Sequence, residues 1–415
     1  MESSGLWRNH SYTRYWAGRA VSEFGSALSL IAFPLLVLAM GGRATQAGVV
    51  ASCSLVTRLV LRLPAGHLAD RVNQRTLMVS MDLARLVAVG SIPLAGAVGW
   101  LSFSQLLVVA FVEGAASALF GPASSVAFRD LVSKEQLTAA LSRGQATVAT
   151  VSMLGPVAGG ALFGVDRVLP FTVDAVSYLV STVLLLSIRN WSGQPERSAA
   201  GGDRRVIAGV VWLWHQPVVM RVLLCAGLLN LVGAAAELAV LVGLRERGSS
   251  AAVIGVVMAC AGVGGILGSV MAERMIRALS TVALCMVVGL VWAAGSVVFT
   301  SVTVAWVIGA VLVVMLLFAP AAGVLLGEIT MGEAPRGILG RVTTAEQTVS
   351  VSLASVGPVL VGVSLQALGT GPTWWVLAGI CVLAALVVAV PVRTRAGSTM
   401  DSSEPVPEPV VGTAD

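Results

Sequence analysis

Carboxylates and arginines embedded in long apolar runs are the residues of this 415-residue chain whose types could do chemistry. Glu113 stands in VVAFVEGAAS, Glu237 in AAAELAVLVG and Glu23 in AVSEFGSALS. A charge in hydrocarbon is costly and marks either a functional group or a pairing partner. An isolated carboxylate in such a place can bind and release a proton. At a rise of about 1.5 Å per residue, Glu23 lies roughly 12 Å into its segment. Arg58 comes to a similar depth in the next one, so an ion pair between them is expected. Glu113 lies roughly 15 Å into its segment, with no arginine at that depth on the same segment. It is the leading candidate for handling a proton; bonding to a serine or a backbone group is the alternative. Glu237, with Asn230 two turns away, is a further candidate. Asp82 and Arg85, three residues apart, suit a local pair, and Asp174 suits a packing role. Arg19, Arg62 and Arg85 are near enough to a membrane surface to snorkel.

The elements that must position these groups are membrane helices. Hydrophobic residues make up 56% of the chain, charged residues 11%, and the mean hydropathy is +0.89; a soluble domain is about a quarter charged. Cys53, Cys225, Cys260, Cys285 and Cys381 each lie singly in an apolar run, and His10, His67 and His215 are scattered. These imply no disulfide framework, no metal site and no cofactor. GxSxG and HExxH motifs are absent, so no catalytic residues and no enzyme are expected. The only lysine, Lys134, stands in Val132-Ser133-Lys134-Glu135, which is no phosphate-binding loop. The N-terminal MESSGLWRNHSYTRYW has no basic region leading directly into a cleavable apolar core, so no signal peptide is expected.

About 20 apolar residues span the hydrocarbon core. That ruler places spans near 16–39, 45–65, 76–98, 103–124, 143–164, 168–188, 220–243, 250–271, 279–299, 303–327, 342–366 and 372–392. The expected fold is an all-α membrane protein of twelve transmembrane helices. Residues 1–188 and 220–392 form two six-helix halves. They are joined by a linker at 189–219 with an amphipathic segment around Trp212 and Trp214, and followed by a disordered tail at 393–415. Of the 26 Lys and Arg, 18 fall on the side of the termini and four on the other. The positive-inside rule therefore puts both termini in the cytoplasm and the protein in the plasma membrane. Bases spread over many short loops exclude nucleic acid as a partner.

The halves repeat. Phe120-Gly121-Pro122-Ala123 is echoed by Phe318-Ala319-Pro320-Ala321, and Gly155-Pro156-Val157-Ala158-Gly159-Gly160 by Gly357-Pro358-Val359-Leu360-Val361-Gly362. Gln145 and Gln347 stand ten residues before each Gly-Pro, and Ala69-Asp70-Arg71 has a degraded echo in Ala272-Glu273-Arg274. Two related halves are a transporter architecture.

Between the second and third spans lies GHLADRVNQR, Gly66 to Arg75. Asp70, Arg71 and Arg75 are fixed charges at a membrane edge, able to act as a latch on a moving helix end, and Gly66 permits a close approach. The stretch resembles the signature loop of the major facilitator superfamily. There the acid interacts with the start of the eleventh helix and favours one side of the access cycle. Asn73 replaces the second glycine of that pattern, and asparagine tolerates a left-handed turn. Gly155, Pro156, Gly159 and Gly160, with Gly357 and Pro358, resemble the helix-packing antiporter motif of proton-driven exporters, although Val151 occupies the place of one of its earlier glycines. TRYWAGRAVSEFGSALSLIAFPLLVL, FTVDAVSYLVS and PRGILGRVTTAEQ look like the enterobactin-exporter and macrolide-efflux branch.

The resemblance implies a central cavity lined by helices 1, 4, 7 and 10, which puts Glu113 and Glu237 on its wall. It also implies a monomeric secondary transporter exporting a small amphiphilic drug, antibiotic or siderophore in exchange for protons. An importer or facilitator of the same fold is the alternative, and the membrane subunit of an ATP-driven pump a more distant one. The orientation is testable by cysteine labelling. In a background lacking the native thiols, an impermeant reagent added to intact cells is expected to modify Ser249→Cys and to spare Ser198→Cys; labelling at 198 reverses the orientation.

Overall fold

A computed structural model of the chain describes residues 9–69, 71–133, 136–188, 191, 211–333 and 339–389. The described segments hold α1 (His10–Ala39), α2 (Ala44–Ala69), α3 (Gln74–Ala97), α4 (Phe103–Leu131), α5 (Leu137–Val165), α6 (Leu169–Leu186), α7 (Pro217–Glu246), α8 (Ala251–Ala278), α9 (Thr281–Ser301), α10 (Ala305–Leu317), α11 (Ala319–Glu333), α12 (Leu339–Leu368) and α13 (Thr370–Ala389). Twelve helical stretches are long and apolar enough to cross a membrane, with α10 and most of α11 together making one of them. The protein is a multi-pass membrane protein, as its composition requires.

Helix ends follow local chemistry rather than the apolar ruler. The Asn9 side chain accepts from Tyr12 N at 3.0 Å, so α1 begins well before its apolar run. Asn9 Nδ2 also donates to Leu131 O at 2.8 Å, closing the last turn of α4 beyond its expected end. Asn73 likewise caps α3, accepting from Thr76 N at 3.1 Å with φ −57. Its left-handed turn is not formed; what the position uses is a capping side chain. Left-handed glycines end the turns after α1 and α7, at Gly41 and Gly248. The Phe-x-Pro echo behaves differently in its two copies. Pro122 is carried inside an unbroken α4, whereas the tenth span breaks at Phe318 and Pro320 falls in the first turn of α11.

The repeat is structural. α1 packs on α5 and α6, α2 on α4, and α3 on α4 and α6; correspondingly α7 packs on α12 and α13, α8 on α10 and α11, and α9 on α10 and α13. The halves meet along two seams, α2 with α12 and α5 with α8. The Gly-Pro motifs lie in these seams. Within each half, Gly155 and Gly159 fit against Ala27 and Leu28 of α1, and Gly357 fits against the Leu231 carbonyl of α7. Across the halves, Gly160 meets the Ala251 carbonyl and Gly362 the Ala44 carbonyl. A side chain at Gly255 would collide with the carbonyl of Pro156, and one at Gly48 with that of Pro358. Gly48 and Gly255 are thus the reciprocal partners of the two prolines, and their role was not evident from the local sequence.

The stretch Ile31–Val37 of α1 is buried throughout, and so is Leu238–Leu244 of α7. The bundle is therefore closed on the side away from the termini. On the terminal side, exposed and buried positions alternate along both helices. The expected linker at 189–219 falls outside the described residues except for 191 and 211–219. There Leu213 is buried with Val219, Leu223, Val342 and Ala345, while Trp214 is exposed. The tail at 393–415 also falls outside them.

Because Gly255 meets backbone that cannot swing aside, Gly255→Val is expected to cost on the order of 1–3 kcal/mol or more and to depress the monodisperse yield. Gly265→Val, on the same helix with open space around it, is expected to purify like the parent. Equal size-exclusion profiles and melting temperatures for the two variants would contradict the seam.

Candidate functional site

A cavity of about 670 Å³ lies between the halves. Its walls come from α1, α2 and α4 on one side and from α7, the tenth span and α12 on the other. The charged residues on its described lining are Arg58, Glu113 and Glu237.

Behind Glu113 the first half holds a polar network built from two helix stripes. On α6, Asp174, Ser177, Tyr178 and Ser181 recur at i, i+3, i+4 and i+7 and share one face; Ser22, Ser26 and Ser29 do the same on α1. The stripes interlock. Ser29 Oγ donates to Asp174 Oδ2 at 2.5 Å, and Ser26 Oγ and the Tyr178 hydroxyl are 2.8 Å apart. Tyr178 donates to Glu113 Oε1 at 2.6 Å, and Ser181 to Asp82 Oδ2 at 2.6 Å. Gly25 lets the stripes meet, since a side chain there would strike Ser177 and Asp174.

Arg85 stands at the centre of the network. It lies 3.8 Å from Asp82 Oδ1 and 3.8 Å from Glu113 Oε2, with side chains 7%, 0% and 13% exposed respectively. Its Nη2 donates to Ser117 Oγ at 2.9 Å, and the guanidinium lies over the rings of Phe120 (5.3 Å) and Tyr178 (5.5 Å). At 3.8 Å the ion pairs are not hydrogen bonds: Asp82 Oδ1, Arg85 Nε and Glu113 Oε2 are buried without a hydrogen-bond partner. Arg58 lines the cavity on the same wall but forms no ion pair within 4.0 Å among the described residues. Asp82 and Glu113 thus share the one guanidinium of Arg85, with Asp174 bonded into the same polar stripes.

This geometry revises several expectations. Glu113 is not isolated; its cation, Arg85, comes from the neighbouring helix α3. Glu23 does not pair with Arg58: it binds Arg19, one turn away on α1, at 2.6 Å, because a same-helix partner four residues away lies closer than a neighbouring helix. Glu23 is also absent from the cavity lining. Arg85 does not snorkel but is buried. The Asp82–Arg85 pair forms, and Asp174 is fully buried. Glu237 is open to the cavity and has no ion-pair partner among the described residues; Asn230, nearby on α7, donates to Ser350 at 2.7 Å.

In the loop after α2, Gly66 belongs to the last turn of the helix and Asp70 lies outside the described residues. Arg71 is exposed, and Arg75 donates to the Leu186 carbonyl at the end of α6. The inter-half bond on this side runs from Arg62 to Gln347, and Thr45 with Gln366 spans the opposite end of the same seam. Residues not singled out from sequence include Tyr178, Ser26, Ser29, and Glu346, which accepts from Thr330. The signal for the first three was the helical spacing of small polar residues on otherwise apolar helices. No group of three or more His, Cys, Asp or Glu among the described residues is arranged to hold a metal ion.

Removing Arg85 leaves two buried carboxylates facing an apolar gap. Breaking a buried pair from one side costs about 3–5 kcal/mol. Arg85→Met is therefore expected to lose most of its folded yield, and adding Asp82→Asn and Glu113→Gln to recover part of it. Thermal unfolding in detergent reads the difference; an Arg85→Met variant as stable as the parent contradicts the network.

The family described as Major Facilitator Superfamily matches residues 15–356. The chain is similar to Multidrug efflux pump Tap of Mycobacterium tuberculosis, 27% identical over 217 residues, 50% of this chain and 51% of that protein. It is also similar to Macrolide efflux protein A of Streptococcus pyogenes, 23% identical over 190 residues, 46% of this chain and 47% of that protein. The chain thus spans about half the length of the curated relatives it matches. Among solved structures, a bacterial homologue of the iron transporter ferroportin in an inward-facing state superposes with a TM-score of 0.73 at 16% identity, covering 93% of this chain and 99% of that one. A bacterial homologue of the human lysosomal transporter Spinster, inward-facing and unoccupied, superposes with a TM-score of 0.72 at 14% identity, covering 94% and 96%. At these identities the structural likeness speaks for the fold alone. With the family matched over most of its length and its twelve membrane-length helices folded in two repeated halves, the chain belongs to the Major Facilitator Superfamily of membrane transporters.

Proposed function

We infer that the protein is a secondary exporter that moves a small amphiphilic molecule outward in exchange for protons, by alternating access of the cavity between the halves. The observation that carries this reading is the position of Glu113. It stands where the cavity meets a cluster with one carboxylate more than it has cations. A proton taken up there balances the cluster; its loss leaves a buried negative charge that is costly to hold. Tyr178 and Arg85 both touch the carboxylate, so a change of protonation is felt on α3 and α6 as well as on α4. The Gly-Pro seams supply close backbone contacts about which the halves can rock. Export as the direction draws on the printed names of the two curated relatives.

The arginine distribution supports cytoplasmic termini in a bacterial plasma membrane. With the bundle closed on the side away from the termini, the cavity then faces the cytoplasm. Arg71, Arg75 and the Arg62–Gln347 bond lie on that open side, and together with Asp70 they serve as a latch when it closes. The protein works as a monomer in the bilayer, with lipid, protons and the cargo as its partners. The boundaries 1–188 and 220–392 are the moving bodies, with 189–219 as the tether.

The test is uptake of a fluorescent amphiphile into inverted vesicles, with and without an imposed pH gradient. Glu113→Gln keeps the shape of the side chain and fixes it in the neutral form. It is expected to bind cargo and to lose at least tenfold of the gradient-driven rate. Gradient-dependent uptake at the parental rate sinks the proton role of Glu113 and makes Glu237 the next carboxylate to examine.

A further inference from the structure

The two walls of the cavity differ in charge. On the wall of the first half, Glu113 is paired with Arg85 and bonded by Tyr178. On the wall of the second half, Glu237 is the one charged side chain among the described lining residues, and it has no counter-ion within 4.0 Å among them. The same carboxylate also borders a second recess of about 450 Å³, where it is again the one charged group of the described lining. Apart from Ser152 that recess is otherwise apolar, with Leu30, Met258, Trp292, Leu312, Met315 and Leu316 on its walls. Trp292 is held in place, its Nε1 donating to Met315 O at 2.8 Å, and its ring lies beside Gly233, one turn from Glu237 on α7. Glu237 therefore stands at the junction of the central cavity and an apolar recess that reaches between α5 and α8.

We propose that Glu237 anchors the positive charge of a monovalent organic cation whose apolar body occupies the Trp292 recess, so that the cargo of this transporter is a cationic amphiphile rather than an anionic or neutral one. The physical argument is complementarity. Glu237 faces the cavity with no protein cation within 4.0 Å among the described residues to satisfy it, so a cargo cation supplies the missing charge. Trp292, on the wall of the same recess, adds an aromatic group that favours a diffuse cation such as a quaternary or aryl-substituted centre. An anionic cargo would meet uncompensated negative charge on this wall. The inference rests on the reading of the cavity as the transport site, but not on proton coupling or on the direction of transport.

The experiment is equilibrium binding to the purified full-length protein in detergent, with no gradient present. The probes are tetraphenylphosphonium and triphenylphosphine oxide, a neutral compound of similar aromatic character. The parent is expected to bind the cation at least tenfold more tightly than the neutral compound. Glu237→Gln should erase that preference, while Glu237→Asp, which keeps the charge, should retain most of it with an unchanged size-exclusion profile. No saturable binding of the cation by the parent, equal affinity for both probes, or a preference that survives Glu237→Gln each overturns the proposal. Failure here leaves the gradient dependence of Glu113→Gln untouched, and failure of that assay leaves these affinities untouched, so the two readings fall separately.

Discussion

In the hydrocarbon of a membrane there is no hydrophobic force to drive one apolar helix onto another, so the halves of this protein hold together through close backbone packing and hydrogen bonds between helices. That constraint is met twice by the same device. The carbonyl of Pro156 rests where Gly255 has no side chain, and the carbonyl of Pro358 where Gly48 has none. The seams α5–α8 and α2–α12 are built around these points, and the cavity lies between them. Everything that lines it depends on this approach, including the closed end formed by Ile31–Val37 and Leu238–Leu244.

The second constraint is charge. The first half gathers buried or half-buried acidic and basic groups from three helices, α3, α4 and α6, and it does so without tight hydrogen bonding between the ions. Arg85 hovers at 3.8 Å from two carboxylates, and three of the buried polar atoms involved go without a hydrogen bond. A network held at arm's length has room to close on one partner when the other loses its charge. The polar stripes of α1 and α6 keep that network from collapsing, since Ser29, Ser26, Tyr178 and Ser181 each satisfy an oxygen that would otherwise be bare. The repeat of the fold is not matched by a repeat of this chemistry. In the second half the charged side chain on the described cavity wall is Glu237, open to the cavity. One half pairs its buried charge internally, whereas the other leaves its carboxylate open.

Much of the architecture was legible from residue order. The apolar runs specified how many times the chain crosses a membrane, because backbone polar groups in lipid must be satisfied within a helix and a helix must be long enough to cross. The paired Gly-Pro segments and their neighbours marked the internal repeat. The depth of Glu113 marked it as a residue of interest, since a charge so far from water needs a reason to be there.

Only the tertiary structure decided which charges meet. Sequence spacing could link Glu23 to Arg58 by depth, but depth measures distance along one axis and says nothing of azimuth around the bundle. Arg19 on the same helix captured Glu23, and Arg85 rather than Arg58 came within ion-pair reach of Glu113. Gly48 and Gly255 looked like ordinary glycines among the many in the chain; their importance comes from a carbonyl roughly a hundred or three hundred residues away. Membrane-spanning segments are determined locally, by the transfer of each stretch from water to lipid. Ion pairing and close helix approach are determined by which faces are turned together, and that depends on the packing of all the helices at once.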